Sequence, residues 1–321
     1  MANAAPMVAP LLATVVAIVP VIAIRPDTAP TFTVHQIGSA APCASARDLA
    51  VERTDASAFE RRITALGVRR VVFFVPGYAT SVPLALSAAR RLIDTFGPED
   101  MVAVIDWGSA GSHRAYEHDA KAARRAAPAF AALLAAMRRA APRTKFDVFA
   151  HSMGTRVAVN AIAMLTPRAS KSRVVEQVVL AAPDMTISDY QRAISRRPEP
   201  FGRVTIYASR HDHALLLSSL IHLHRRLGRL RNWRRPLAQT DIVDASVASR
   251  GVDGHGYATT DPQLLRDVAQ TLAGVSVPHA DWGRAKRDSV SWIYAPPGGV
   301  PRPRACPRPA IHSDRTPRIT R

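Results

Sequence analysis

Six short runs of apolar, β-branched and aromatic residues recur along the chain, at Val71–Val75, Val102–Ile105, Phe146–Phe149, Gln177–Ala181, Val204–Ala208 and Ile242–Ala245. Each reads as a β-strand. The gaps between them carry helical patterns, at Leu84–Phe96, Tyr116–Ala140 with a break expected at Pro128, Thr155–Leu165, Ala214–Leu227 and Pro262–Leu272. Strand and helix in alternation predict an α/β fold, a mostly parallel central sheet with helices on both faces. In such a sheet the loops that bind and react gather beyond the carboxyl ends of the strands.

One of those strand ends carries a nucleophile pattern. Phe146-Asp147-Val148-Phe149-Ala150-His151-Ser152-Met153-Gly154 joins a strand to a serine flanked by small residues, and a helix follows at once. A chain that reverses so tightly holds the serine in a strained backbone conformation, and only small residues two before and two after it avoid collision. Ala150 and Gly154 supply them, although glycine is the more frequent residue at the first position. Upstream, Val71-Val72-Phe73-Phe74-Val75-Pro76-Gly77-Tyr78 reads as a strand ending in Pro-Gly, a loop that can aim backbone N–H groups at an oxyanion.

Three blocks, Phe74-Val75-Pro76-Gly77-Tyr78-Ala79-Thr80-Ser81, Asp106-Trp107-Gly108-Ser109-Ala110-Gly111-Ser112 and Ala150-His151-Ser152-Met153-Gly154, together resemble an uncharacterised bacterial family of the α/β-hydrolase (esterase/lipase) superfamily. The similarity spans roughly Arg69 to Leu272. It implies an α/β-hydrolase fold with Ser152 as nucleophile and with the amides of Tyr78 and Met153 as the oxyanion hole. Two positions depart from the family pattern. Pro76 stands where a histidine is usual before the glycine, and Ala150 where glycine is usual. Proline has no N–H to offer, whereas Gly77 and Tyr78 keep theirs.

A serine hydroxyl needs a base, and the base needs an acid that fixes its tautomer; this superfamily places them in the order Ser, Asp or Glu, His. His255, in Gly254-His255-Gly256-Tyr257 after the last predicted strand, is the candidate base, since flanking glycines let the ring reach over the strand ends. Spacing alone suits a surface-loop histidine equally well, and the family resemblance favours the catalytic role. Asp212, four residues past Ala208, and Asp184, which ends the preceding strand, are both candidate acids. Asp212 is preferred because the acid usually follows the later strand and because Ser209-Arg210-His211-Asp212-His213-Ala214-Leu215 resembles the family's acid loop. Asp253, two residues from His255, is poorly placed to orient its ring. The chemistry so implied is cleavage of a carboxylic ester of a small molecule through an acyl-enzyme; the alternative is a non-catalytic scaffold that binds an anionic membrane or a partner.

Composition sets the frame around that core. The 321 residues, 47% hydrophobic, suffice for one domain, expected at 69–280, preceded by a hydrophobic targeting or anchor segment (1–30) and a linker (31–68) and followed by a Pro/Arg-rich disordered tail (281–321). Met7 to Ile24 is an 18-residue apolar run broken by Pro10 and Pro20, a length between a secretory core and a membrane span, so the protein is expected to be membrane-associated or exported. Arg25 and Arg47 follow it instead of preceding it, which the positive-inside rule reads as a body facing the cytoplasm. Cys43 and Cys306 could pair only in an oxidising compartment. Net charge is +18 with a pI near 11.2. Part of it lies in His222–Arg235, where arginines interleave with Leu223, Leu227, Leu230 and Trp233, a mixture suited to an anionic lipid surface. No helix-turn-helix, zinc or stacking motif accompanies the charge, which argues against specific nucleic-acid binding. The histidines make no closed metal site: His211-Asp212-His213 lacks a distant second pair, and His222 and His224 point to opposite sides of a helix. Neither a metal nor another cofactor is expected.

Overall fold

The computed structural model describes residues 34–37, 51–54, 56–96, 100–165, 173–194, 201–230, 239–249, 254–274, 284–286 and 291–294. Six parallel strands form the centre: β3 (Arg70–Val75), β4 (Asp100–Ile105), β5 (Lys145–His151), β6 (Val175–Ala181), β7 (Phe201–Ala208) and β8 (Thr240–Asp244). These are the six runs read from the sequence. They lie side by side in the order β4-β3-β5-β6-β7-β8.

Their near-continuous apolar character follows from burial on both faces. In β3, Val71, Phe73 and Val75 enter one core while Val72 and Phe74 enter the other. The first core is closed by α1 (Ala56–Leu66), α3 (Tyr116–Ala140), α4 (Gly154–Met164) and α5 (Ile187–Ile194). Against the second lie α2 (Val82–Ile93), Leu215 from α6 (His213–Ile221), the short α7 (Tyr257–Thr260) and α8 (Pro262–Leu272). Each large side chain so buried contributes roughly 1.5–3 kcal/mol of transfer free energy. Phe73, for instance, stacks on Phe146 at 6.0 Å between ring centroids and meets Phe130 edge-on at 5.7 Å.

The structure corrects three expectations. The sheet runs past the limits 69–280 at both ends: β1 (Val34–Ile37) pairs antiparallel with β4 and with β2 (Val51–Thr54), and β10 (Ser291–Tyr294) lies parallel to β8 with β9 (Arg284–Lys286) as its antiparallel edge. Thus 31–68 contributes two strands and α1, and 281–321 contributes two more strands. Second, α3 does not break at Pro128. It runs through all 25 residues because Ala123, Ala127, Phe130, Leu134 and Met137 form one buried stripe, whose burial offsets the ~3 kcal/mol that proline costs inside a helix. Third, the helix expected to reach Leu227 ends at Ile221. Leu227 and Leu230 turn away from α6 to join the first core, and the Leu227 and Gly228 amides donate to the carbonyls of Met185 and Pro183. The apolar run 7–24, Cys43, Cys306, Asp253, Arg231, Trp233, Arg234, Arg235 and the tail beyond Tyr294 lie outside the described residues.

Candidate active site

The turn from β5 into α4 has the geometry its sequence requires. Ser152 adopts φ +51°, a left-handed conformation costly for a non-glycine residue. It is held by bonds on every side: the Ser152 amide donates to the Ala181 carbonyl (2.9 Å), and its carbonyl accepts from the Thr155 hydroxyl (2.6 Å) and the Asp184 amide (3.2 Å). A Cβ on Gly154 would lie 2.3 Å from the Pro76 carbonyl oxygen and 2.4 Å from that of Val75. The first turn of α4 therefore touches the end of β3, which no larger residue permits. Ala150 is fully buried in the strand itself.

The loop after β3 is brought equally close. A Cβ on Gly77 would lie 3.0 Å from the Ser152 Cβ and 3.5 Å from its hydroxyl oxygen. The Trp107 indole N–H ties the Pro76 carbonyl (2.8 Å), so proline's carbonyl is used although its nitrogen offers nothing. Tyr78 follows, and its ring packs edge-on against Tyr116 at 5.3 Å. On the other side Met153 is the N-cap residue of α4, so its amide belongs to the donors that the helix leaves unused.

Ser152, His255 and Asp212 come together. The His255 Nε2 lies 2.8 Å from the Ser152 hydroxyl oxygen, and its Nδ1 lies 2.8 Å from Asp212 Oδ2. A carboxylate can only accept, so Nδ1 carries the proton and Nε2 is left as acceptor for the serine hydroxyl. Asp212 is fully buried and caps α6, its Oδ1 accepting from the Leu215 amide at 2.8 Å. The carboxylate is thus fixed by a bond that has nothing to do with the histidine. The loop bearing His255 begins at Gly254 (φ +59°), where a Cβ would meet the His211 carbonyl oxygen at 2.3 Å, and the Ser249 hydroxyl bonds the Gly254 carbonyl. His151, before the serine, bonds the His255 carbonyl through Nε2 at 3.3 Å.

Asp184, the second candidate acid, is engaged elsewhere. Its Oδ2 accepts from the Tyr116 hydroxyl (2.7 Å) and Arg156 (3.3 Å); its Oδ1 accepts from Ser218 (3.0 Å) and pairs with Arg226 (3.1 Å). Burial, reinforced by the Asp184 charge, holds the Tyr116 phenol above its ordinary pKa, so it stays a donor. This buried cluster borders a cleft of about 630 Å³ lined by Tyr116, Arg124, Arg156, Asp189, His222 and Arg226 among others. Neither Ser152 nor His255 lines that cleft; it adjoins their site through Tyr116. Among the described residues no group of three His, Cys, Asp or Glu side chains is arranged to hold a metal ion.

Sequence reasoning missed Asp119. Fully buried on α3, its carboxylate accepts from the Ala79 amide (3.2 Å), the Ser109 hydroxyl (2.7 Å), the Ala110 amide (2.8 Å) and the His118 ring (3.1 Å). It clamps the loop after β3 to the loop after β4, which accounts for the Trp-Gly-Ser-Ala block. The one signal available was an acid in the first turn of a helix that directly follows that block.

Two solved structures show what the chain is similar to. A predicted CIB-like hydrolase from Thermoplasma acidophilum is 14% identical, with 80% of this chain and 99% of that one covered and a TM-score of 0.41. A Trichoderma reesei cutinase in complex with a phosphonate inhibitor is 13% identical, with 70% and 87% covered and a TM-score of 0.31. No curated protein matches the sequence. The family described as alpha/beta hydrolase of unknown function (DUF900) matches residues 52–268, about two-thirds of the chain, and the protein belongs to that family.

Proposed function

We propose that the protein is a serine hydrolase that cleaves a carboxylic ester through an acyl-enzyme. The observation that carries this reading is the unbroken relay from Ser152 through His255 to Asp212, 2.8 Å at each link, on loops that follow β5, β8 and β7. The serine oxygen attacks the ester carbonyl while His255 Nε2 takes its proton, and the positive ring is stabilised by the Asp212 carboxylate. Negative charge develops on the carbonyl oxygen, which the Tyr78 and Met153 amides receive. The C–O bond to the alcohol breaks and the alcohol leaves with the proton from His255. Water then attacks the acyl carbon, giving its proton to Nε2, and the carboxylic acid is released as Ser152 regains a proton.

Labelling with a fluorophosphonate tests the central step, since only an activated serine displaces fluoride from phosphorus. One adduct per chain at Ser152 is expected, together with loss of labelling and of short-ester turnover in Ser152→Ala at unchanged thermal stability. A folded protein that takes no label, or a Ser152→Ala variant that still turns over ester, refutes the proposal.

A further inference from the structure

Of the nine large hydrophobic side chains exposed among the described residues, five fall between positions 216 and 223: Leu216, Leu217, Leu220, Ile221 and Leu223. The first four recur at helical spacing along one side of α6, whose other side buries Leu215 and Ser218. Leu223 is 87% exposed and adopts φ +54°. A bulky residue held in the left-handed region with its side chain in solvent gains nothing from the fold for that strain. An apolar patch so concentrated marks a surface that meets something.

The charge around it says what. From His213 to Thr240 the sequence contains no acid and six arginines, and of these Arg225 stands exposed two residues from Leu223 while Arg226 is buried against Asp184. Two copies docked symmetrically through this face would bring their Arg225 side chains together, in a chain that carries +18 overall. A surface that is apolar beneath and anionic at its rim complements both features. We infer that α6 and Leu223 insert into the headgroup region of an anionic phospholipid bilayer. Asp212 caps the first turn of α6, so the inserted face stands beside the serine site, and the lipid phase is the source of substrate on that side.

The binding half of this inference does not depend on catalysis, so its test uses the full chain carrying Ser152→Ala. Sedimentation with phosphatidylcholine vesicles doped with phosphatidylglycerol should show binding that pure phosphatidylcholine reduces. Adding Leu220→Ser and Leu223→Ser should weaken partitioning by roughly tenfold for each leucine that had been buried in lipid. Arg225→Gln should weaken it by about fivefold on the anionic vesicles and have little effect at high salt. These positions are already exposed, so unchanged melting temperatures are expected and identify a specific loss of binding. Partitioning by the double leucine variant equal to that of its parent overturns the inference, as does failure of the parent to bind. So does a parent that is dimeric by light scattering, does not sediment with lipid and becomes monomeric on the leucine changes. In the active chain, the two leucine changes should leave soluble short-ester turnover unaltered and depress hydrolysis of a vesicle-borne ester by the same factor as binding. If binding is lost as expected while neither ester is hydrolysed by the active chain, the surface stands and the proposed function fails.

Discussion

Replacing Asp119 by asparagine probes how the oxyanion loop is held without touching the reacting groups. The carboxylate accepts four hydrogen bonds in a fully buried position. Asparagine keeps the volume and one oxygen. With that oxygen facing the Ala110 amide, the new NH2 group can still be accepted by the Ser109 hydroxyl, but it confronts the Ala79 N–H, which loses its partner. A buried amide left without one costs about 1–3 kcal/mol, so denaturant unfolding should report a loss of roughly 2 kcal/mol. Ala79 sits at φ +53° next to Tyr78, and releasing it would let the Tyr78 amide drift from its proposed oxyanion-binding position. Complete removal of one oxyanion donor costs on the order of 10²–10³ in kcat, and a displaced donor beside an intact Met153 amide should cost roughly tenfold to hundredfold. KM for a short ester should change much less, because the donor acts on charge that appears only in the transition state. Steady-state kinetics on a chromogenic short ester and the rate of fluorophosphonate labelling would measure this. A variant with the expected stability loss but kcat within about twofold of the parent would refute the link between Asp119 and oxyanion geometry.

Asp212→Asn should lower kcat on the order of 10³–10⁴-fold by leaving His255 in the wrong tautomer, with little change in stability because the amide oxygen still caps α6; Asp184→Asn should do the reverse, costing about 3–5 kcal/mol as the buried Arg226 and the partly buried Arg156 lose their counter-charge, with kcat largely kept in the folded protein. Exchange of those two phenotypes in kinetics and urea titrations would reassign the acid. Burial pushes the Asp147 carboxyl up to about 7, against the partial opposition of Arg70 and the Gln177 amide. The folded state therefore holds a proton that the unfolded chain releases near its ordinary pKa, so stability falls as pH rises from about 4 to about 7, by at most about 1.4 kcal/mol per unit, and levels off above. Asp147→Asn, whose oxygen can still accept from Gln177, should remove that slope in unfolding curves taken across the window; an unchanged slope would assign it to other groups. Pro128→Ala, at an exposed position inside α3, should raise the melting temperature through a stabilisation of about 1–3 kcal/mol, and a lower melting temperature would mean that proline is needed there.

The parts that were legible in the sequence share one cause. Strands β3 to β8 are buried on both faces, so their apolar runs stand out against any background, and the tight Ser152 turn needs small neighbours that leave a trace in the sequence. That His255 and Asp212 would meet Ser152 could be anticipated because strand ends are where loops converge; spacing alone did not choose between Asp212 and Asp184, and the family resemblance favoured His255 and Asp212. What was missed is set by partners. Val34–Ile37 and Val51–Thr54 are four-residue strands of mixed character whose strand state comes from pairing with β4 and with each other. Helix α1 shows only Phe59 and Ile63 to the core, too thin a stripe to read as an amphipathic helix. Asp119 looks like any solvated helical acid until two distant loops close over it. The break expected at Pro128 failed because the alanine-rich stripe around it is buried, a tertiary effect that local propensity does not contain.

The relay from Ser152 to His255 joins positions 103 apart in the chain, and Asp212 comes from a third strand end. Two adjacent segments of a half-made molecule cannot reproduce it: a chain that ends with β7 contains Ser152 but neither Asp212 nor His255. On the proposed function, reactivity at the Ser152 oxygen therefore waits on the convergence of all three strand ends. Probe incorporation can serve as an all-or-nothing gauge of finished assembly during synthesis or refolding.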